Sequence, residues 1–270
     1  MSLGGRRLRV RLSNGYGSKD LLIGSAHVGL RSRGAGMVPG SDRPLTFGGA
    51  ASAKIAPGAL AVSDPVELEV PALADVAVSF HLPHAVGADF QVTGHLNAHQ
   101  TNYISPPGDF SAAAQMPVAR ETEDFLFLSA VEMLAPEGTA GVVALGDSLT
   151  DCNISTLDTN NRWPDQLARR LAARPGRPMP GVMNQGFGGN RILHDSRAES
   201  ALRRFDRDVL AQPGVTHAVV LMGINDIRNR TGNPEEVVTA TEMIAGLNQL
   251  AVRAHTAGIK IFCGTLLTFE

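Results

Sequence analysis

The chain has 270 residues, is 43% hydrophobic and 19% charged, and carries a formal net charge of −2. Apolar content near the average and a low net charge exclude an intrinsically disordered chain. The balance of 24 basic and 26 acidic residues leaves no electrostatic footprint for nucleic acid, and no apolar run approaches the roughly 18 residues of a membrane-spanning helix.

At about 150 residues per domain the length predicts two domains. The only lysines are Lys19, Lys54 and Lys260. This bias reads as codon usage in a GC-rich genome rather than as arginine chosen for anion recognition. Cys152 and Cys263 lie far apart and lack C-x-x-C spacing, so neither a disulfide framework nor a zinc site is expected. No apolar signal segment opens the chain. Localisation therefore stays open, with a secreted or periplasmic setting favoured if the N-terminus was trimmed.

Residues 1–138 read as an all-β domain. Residues 8–12 (Leu-Arg-Val-Arg-Leu) alternate apolar and charged side chains, the pattern of a half-buried strand, and Ser13-Asn14-Gly15 supplies a turn. Further strands are expected at 21–30, 44–47, 66–70, 76–82, 90–96 and 125–134, separated by breakers such as Val38-Pro39-Gly40 and Ser105-Pro106-Pro107-Gly108. Many short strands with regular turn signals predict a sandwich or jelly-roll-like domain.

Residues 139–270 change period. The apolar run at 141–145 has the character of a parallel strand. A helix follows at 162–173, with Trp163, Leu167 and Leu171 on one face and the lone tryptophan anchoring it. A strand starts at 181, and residues 195–210 read as a helix with arginines on its outer face. A third strand covers 216–222. A helix at 234–255 starts on Pro234 and places Val237, Ile244, Leu247 and Ala251 on its buried stripe. A fourth, buried strand runs over 259–267. Alternating strands and helices at this spacing predict a doubly wound parallel sheet. A domain seldom ends on such a strand without a closing helix, so the sequence is expected to be a fragment.

Ligands bind beyond the carboxyl ends of the strands in such a sheet. There the sequence places Gly146-Asp147-Ser148-Leu149, then Gly186-Phe187-Gly188-Gly189-Asn190, then Gly223-Ile224-Asn225-Asp226. Ser148 sits in a strand-to-helix turn, where a hydroxyl is exposed near backbone N–H groups, or simply caps the next helix. Gly189 brings an N–H close to a ligand, or makes an ordinary tight turn. Asn225 offers an amide to a developing oxyanion, or forms an Asx turn. A nucleophile, a close N–H and a side-chain amide are the parts of an acyl-transfer site. Asp151 and Asp226 read as groups that order the rim loops rather than as a glycosidase pair, and Cys152 as a small buried residue on the helix after Ser148.

These three blocks, in this order, resemble those of the GDSL or SGNH hydrolases, the esterases and lipases named for them. The β-rich first half, with Arg9-Val10-Arg11-Leu12-Ser13-Asn14, resembles the added domain of some two-domain bacterial members. The resemblance implies a flavodoxin-like three-layer hydrolase domain. It also implies Ser148 as nucleophile and an oxyanion hole from the N–H groups of Ser148 and Gly189 with the Asn225 amide. The implied reaction hydrolyses acyl or acetyl esters, on a small molecule or a carbohydrate, with no metal and no cofactor. The family's general base is a histidine in a D-x-x-H block near its C-terminal end, and no D-x-x-H occurs in these residues. His194 reads as packing or capping, His217 as a strand residue and His255 as a helix end, while the other five histidines lie in the β half. An unassisted serine is a weak nucleophile. The alternative is therefore a protein of hydrolase ancestry that only holds a glycan or a partner.

Overall fold

A computed structural model describes residues 1–268 apart from 85, 88, 152, 153, 177, 230 and 231. The backbone divides into two units, Leu3–Pro136 with Met1 and Glu137–Glu270 with Ser2. The reading of Cys152 lies outside the described residues.

In the first unit the strand Gly5–Ser13 turns Leu8, Val10 and Leu12 fully inward, with arginines between them. It pairs antiparallel with Leu128–Met133, Leu60–Val62 and Val66–Val70. A second sheet joins Ser25–Leu30 to Val76–His81 and to Arg43–Pro44. Both sheets contribute to one apolar core. The strand expected over 21–30 is two strands. Leu21–Ile23 pairs with Ala53–Ile55, and Gly24 breaks the run by donating its N–H to the His81 carbonyl at 2.9 Å. The strand expected over 125–134 is likewise split at Phe127, which takes a φ of 59°. This kink buries the Phe127 ring edge-on to Phe80 and Phe90, at 6.4 and 6.2 Å between centroids. Of the strand expected over 90–96 only Gly94–His95 pairs.

The second unit is built on four parallel strands, β1 (Gly141–Gly146), β2 (Gly181–Gly186), β3 (Val215–Leu221) and β4 (Lys260–Cys263). Their order is β2-β1-β3-β4, the doubly wound pattern the alternation predicts. β1 is covered on both faces, so Val143, Ala144 and Leu145 have no exposed surface. The helices are α1 (Ser148–Asp151), α2 (Trp163–Ala172), α3 (Ala201–Phe205), α4 (Ile224–Arg228) and α5 (Ala240–Thr256).

Three expectations are corrected here. The helix over 195–210 begins only at Ala201. Asp195 turns its carboxylate back onto the Ser200 N–H at 2.8 Å and holds a loop instead. After Phe205 the helix widens into a π-helical turn, Asp206–Leu210. Its arginines do not all face out, because Arg204 is 2% exposed. The helix over 234–255 is a short 3-10 turn, Pro234–Glu236, followed by α5. Thr239 and Glu242 cap α5 reciprocally, a stronger start signal than Pro234. This moves the fully buried stripe to Gly246, Leu250 and Ala254; of the expected residues Leu247 packs against the core, while Val237 and Ile244 are at 64% and 58% exposure. Finally, β4 is an edge strand that ends at Cys263, with Lys260, Phe262 and Cys263 exposed.

Candidate functional site

β1 delivers Gly146, Asp147 and Ser148 to its carboxyl end, where the chain turns at once into α1. The glycines make that turn possible. A Cβ on Gly146 would overlap the Thr150 side chain, and one on Gly186 would lie 2.6 Å from the Thr150 carbonyl carbon. α1 therefore rests directly on the ends of β1 and β2. Asn184 of β2 fastens it, donating from Nδ2 to the Thr150 carbonyl at 3.0 Å. Trp163 donates its indole N–H to the Thr150 hydroxyl at 3.2 Å, so the tryptophan ties α2 to α1 as well as packing.

The loop after β2 accounts for its N–H groups one by one. Gly188 donates to Asp151 Oδ2 at 3.0 Å and Asn190 donates to the Phe187 carbonyl at 3.0 Å. The Gly189 N–H between them has no acceptor among the described residues. Gly189 has a φ of 76°, a left-handed conformation that glycine adopts without strain. Ser148 is half-buried, and among the described residues neither its N–H nor its hydroxyl is hydrogen-bonded.

After β3, Gly223 takes a φ of 123° and opens α4. Asn225 is 6% exposed and donates from Nδ2 to the Asn190 carbonyl at 3.0 Å. An amide nitrogen carries two hydrogens, so one stays available. Asp226 has no exposed surface and accepts the N–H groups of Ile192 at 2.9 Å and Leu193 at 3.0 Å. Asp151 thus binds the glycine loop to α1, while Asn225 and Asp226 bind it to α4. This linkage joins the three segments that carry Ser148, Gly189 and Asn225.

The histidines of this unit are engaged elsewhere. His194 lies within electrostatic reach of Glu242 in the first turn of α5. His217 stacks on Phe262 at 6.3 Å between ring centroids and meets the Thr216 hydroxyl at 2.7 Å. His255 sits in the last turn of α5.

Sequence reasoning passed over Asp147, which has no exposed surface. Its Oδ1 accepts the Leu149 N–H at 2.9 Å, while Oδ2 is buried without a partner. Burial pushes this carboxyl up to about 6, and the negative charge of Asp226 adds to the rise. Burial also raises Asp226, against its backbone N–H bonds and the charge of Arg191. A raised carboxyl binds its proton more tightly in the folded state than in the unfolded chain. The stability it contributes is whole below its unfolded value of 3.8 and is lost as pH rises through about 6. Asp147→Asn keeps the acceptor for Leu149 and removes the charge. Its Tm is expected to exceed that of the parent at about pH 8 and to match it at about pH 4. Thermal melts at the two pH values check this, and a difference that does not vary with pH contradicts it.

Residues 144–270 match the model of the GDSL-like Lipase/Acylhydrolase family. No curated protein matches the chain. Among solved structures, an SGNH-hydrolase family esterase matches at 20% identity and a TM-score of 0.38, over 48% of this chain and 60% of its own length. An acetylxylan esterase from Geobacillus stearothermophilus matches at 23% identity and a TM-score of 0.38, over 47% of this chain and 58% of its own. A carbohydrate acetylesterase from Sinorhizobium meliloti matches at 18% identity and a TM-score of 0.36, over 46% of this chain and 62% of its own. The chain thus spans about 60% of the length of the solved structure first named. The family match begins inside β1 and takes in all three segments that meet at the strand ends, so residues 144–270 of this chain are similar to the GDSL-like Lipase/Acylhydrolase domain.

Proposed function

We propose that this protein hydrolyses carboxylic esters through an acyl-enzyme formed on Ser148. One observation carries the reading. Among the described residues the Ser148 hydroxyl and the N–H groups of Ser148 and Gly189 are unspent, and Asn225 keeps one amide hydrogen. The neighbouring N–H groups of Gly188 and Asn190 are each spent on an acceptor, and unspent donors at the same strand ends fit a site built for a developing charge.

In the proposed reaction the serine oxygen attacks the ester carbonyl and gives up its proton to a base. The carbonyl electrons move onto oxygen, and the two N–H groups and the Asn225 amide hold that oxyanion. Collapse of the tetrahedral intermediate expels the alkoxide, which takes the proton back from the base; water then attacks the acyl carbonyl, gives its proton to the same base, and the second collapse returns that proton to Ser148 and releases the acid. The substrate proposed is an acyl or acetyl ester of a small molecule or a carbohydrate. The acetylesterases among the solved structures motivate that class without fixing it. We infer a sandwich-like arrangement for the first unit, supported by two antiparallel sheets that feed one core.

A second reading is favoured by a specific observation: no histidine is hydrogen-bonded to Ser148 among the described residues. In that reading the protein binds a glycan or a partner without turnover. Hydrolysis of p-nitrophenyl acetate separates the two. The parent chain is expected to release p-nitrophenol faster than Ser148→Ala. Equal rates overturn the nucleophile assignment and leave the binding role.

A further inference from the structure

Arg204 is, with Arg191, one of two arginines at 2% exposure in the second unit among the described residues. Its guanidinium donates from Nε to Asn190 Oδ1 at 3.0 Å. One terminal nitrogen reaches Asp208 at 2.8 Å, and the other reaches the carbonyls of Gly146 at 3.1 Å and Gln185 at 2.9 Å. One planar group thus grips the carboxyl ends of β1 and β2 together with the glycine loop. Asn190 has no exposed surface, and its own amide donates to the Glu199 carbonyl at 2.7 Å. The main-chain carbonyl of the same Asn190 receives the Asn225 amide. The contacts are continuous and converge on Asn190, which accepts from the guanidinium on its side chain and from the Asn225 amide on its main chain, and every side chain along them is buried.

We propose that Arg204 is a positioning residue for the Asn225 amide, acting through Asn190; this rests on the reading of Ser148 and Asn225 given above. Arg204 touches no reacting atom. It fixes the loop whose carbonyl holds one hydrogen of the Asn225 amide, and so aims the other at the oxyanion. Charge alone does not suffice. A lysine keeps a cation opposite Asp208 but lacks the planar fork that serves Asn190 and two carbonyls at once.

The test compares the parent chain with Arg204→Lys by two measurements. The first is hydrogen exchange of the Asn225 side-chain amide, followed by NMR, with the signals identified by their loss in Asn225→Ala. The second is the rate at which a fluorophosphonate probe labels Ser148, measured with and without Asn225→Ala. Arg204→Lys is expected to speed the amide exchange by about 10-fold or more and to slow labelling by about 10-fold, the scale of a lost charge-assisted bond. In the Asn225→Ala background the slowing is expected to vanish, because residues that act through one another do not add. Unchanged exchange, or equal slowing in both backgrounds, overturns the proposal. If Ser148 of the parent chain is not labelled, the ester-hydrolase reading falls, and the amide exchange alone decides the role of Arg204. If Arg204→Lys does not fold, Asn190→Ala removes the side chain through which Arg204 acts and is judged by the same two measurements.

Discussion

Asn225→Ala is expected to slow p-nitrophenyl acetate hydrolysis by about 10²–10³, mostly in kcat, as loss of one preorganised oxyanion donor does. In the proposed role the amide is held in place before any substrate arrives. It is 6% exposed, and one hydrogen is tied to the Asn190 carbonyl at 3.0 Å, so its direction is already set. Water lost from the site is replaced by a donor that needs no reorganisation when charge develops on the carbonyl oxygen. The same substitution leaves the Asn190 carbonyl without that donor, at a cost of about 1–3 kcal/mol. A fall in Tm therefore accompanies the fall in rate. Asn225→Asp separates the two effects. It keeps the size of the side chain but turns a donor into an acceptor-only carboxylate. It is expected to be at least as slow as Asn225→Ala. Retention of kcat in either variant, with Ser148 still required, removes Asn225 from the oxyanion site.

How much of this was legible in the sequence depends on whether a residue speaks through a local pattern. The parallel strands were legible because a strand covered on both faces must be continuously apolar, as 141–145 is. The three loops were legible because glycine and polar residues cluster where strands end. Helix starts were less legible. Pro234 reads as a first turn, yet the reciprocal Thr239–Glu242 cap decides where α5 begins. That cap is itself a sequence signal, S/T-x-x-E, which a reading anchored on proline overrides. Arg204 was not legible. It stands in the run Arg203-Arg204-Phe205-Asp206-Arg207, and composition cannot tell a solvated arginine from a buried one. Only the fold shows that Arg203 and Arg207 are more than half exposed while Arg204 lies against the ends of β1 and β2. Asp147 was illegible for a related reason. Nothing in Gly-Asp-Ser-Leu marks it as buried, because its loss of solvent and its exposure to the Asp226 charge are tertiary facts.

Gly186→Ala is expected to destabilise the second unit by about 3 kcal/mol or more, at or beyond the usual upper end for overpacking. Gly181→Ala, on the same strand, is expected to stay within about 0.5 kcal/mol of the parent. Both glycines lie in β2, both substitutions add one methyl group, and strand propensity treats them alike. What differs is the neighbour. A Cβ on Gly181 meets nothing within 4 Å. A Cβ on Gly186 runs into the backbone of α1, at 2.6 Å from the Thr150 carbonyl carbon and 2.8 Å from Asp151 Cα. Backbone cannot swing aside as a side chain does, so α1 must lift from the strand ends. Lifting it strains the Asn184–Thr150 and Gly188–Asp151 bonds and moves Ser148, the first residue of α1, away from the glycine loop. Gly186→Ala is therefore expected to lower both Tm and the labelling of Ser148, whereas Gly181→Ala lowers neither. Equal Tm values for the two variants contradict the close seat of α1 on the sheet, which is the packing that sets the proposed nucleophile in place.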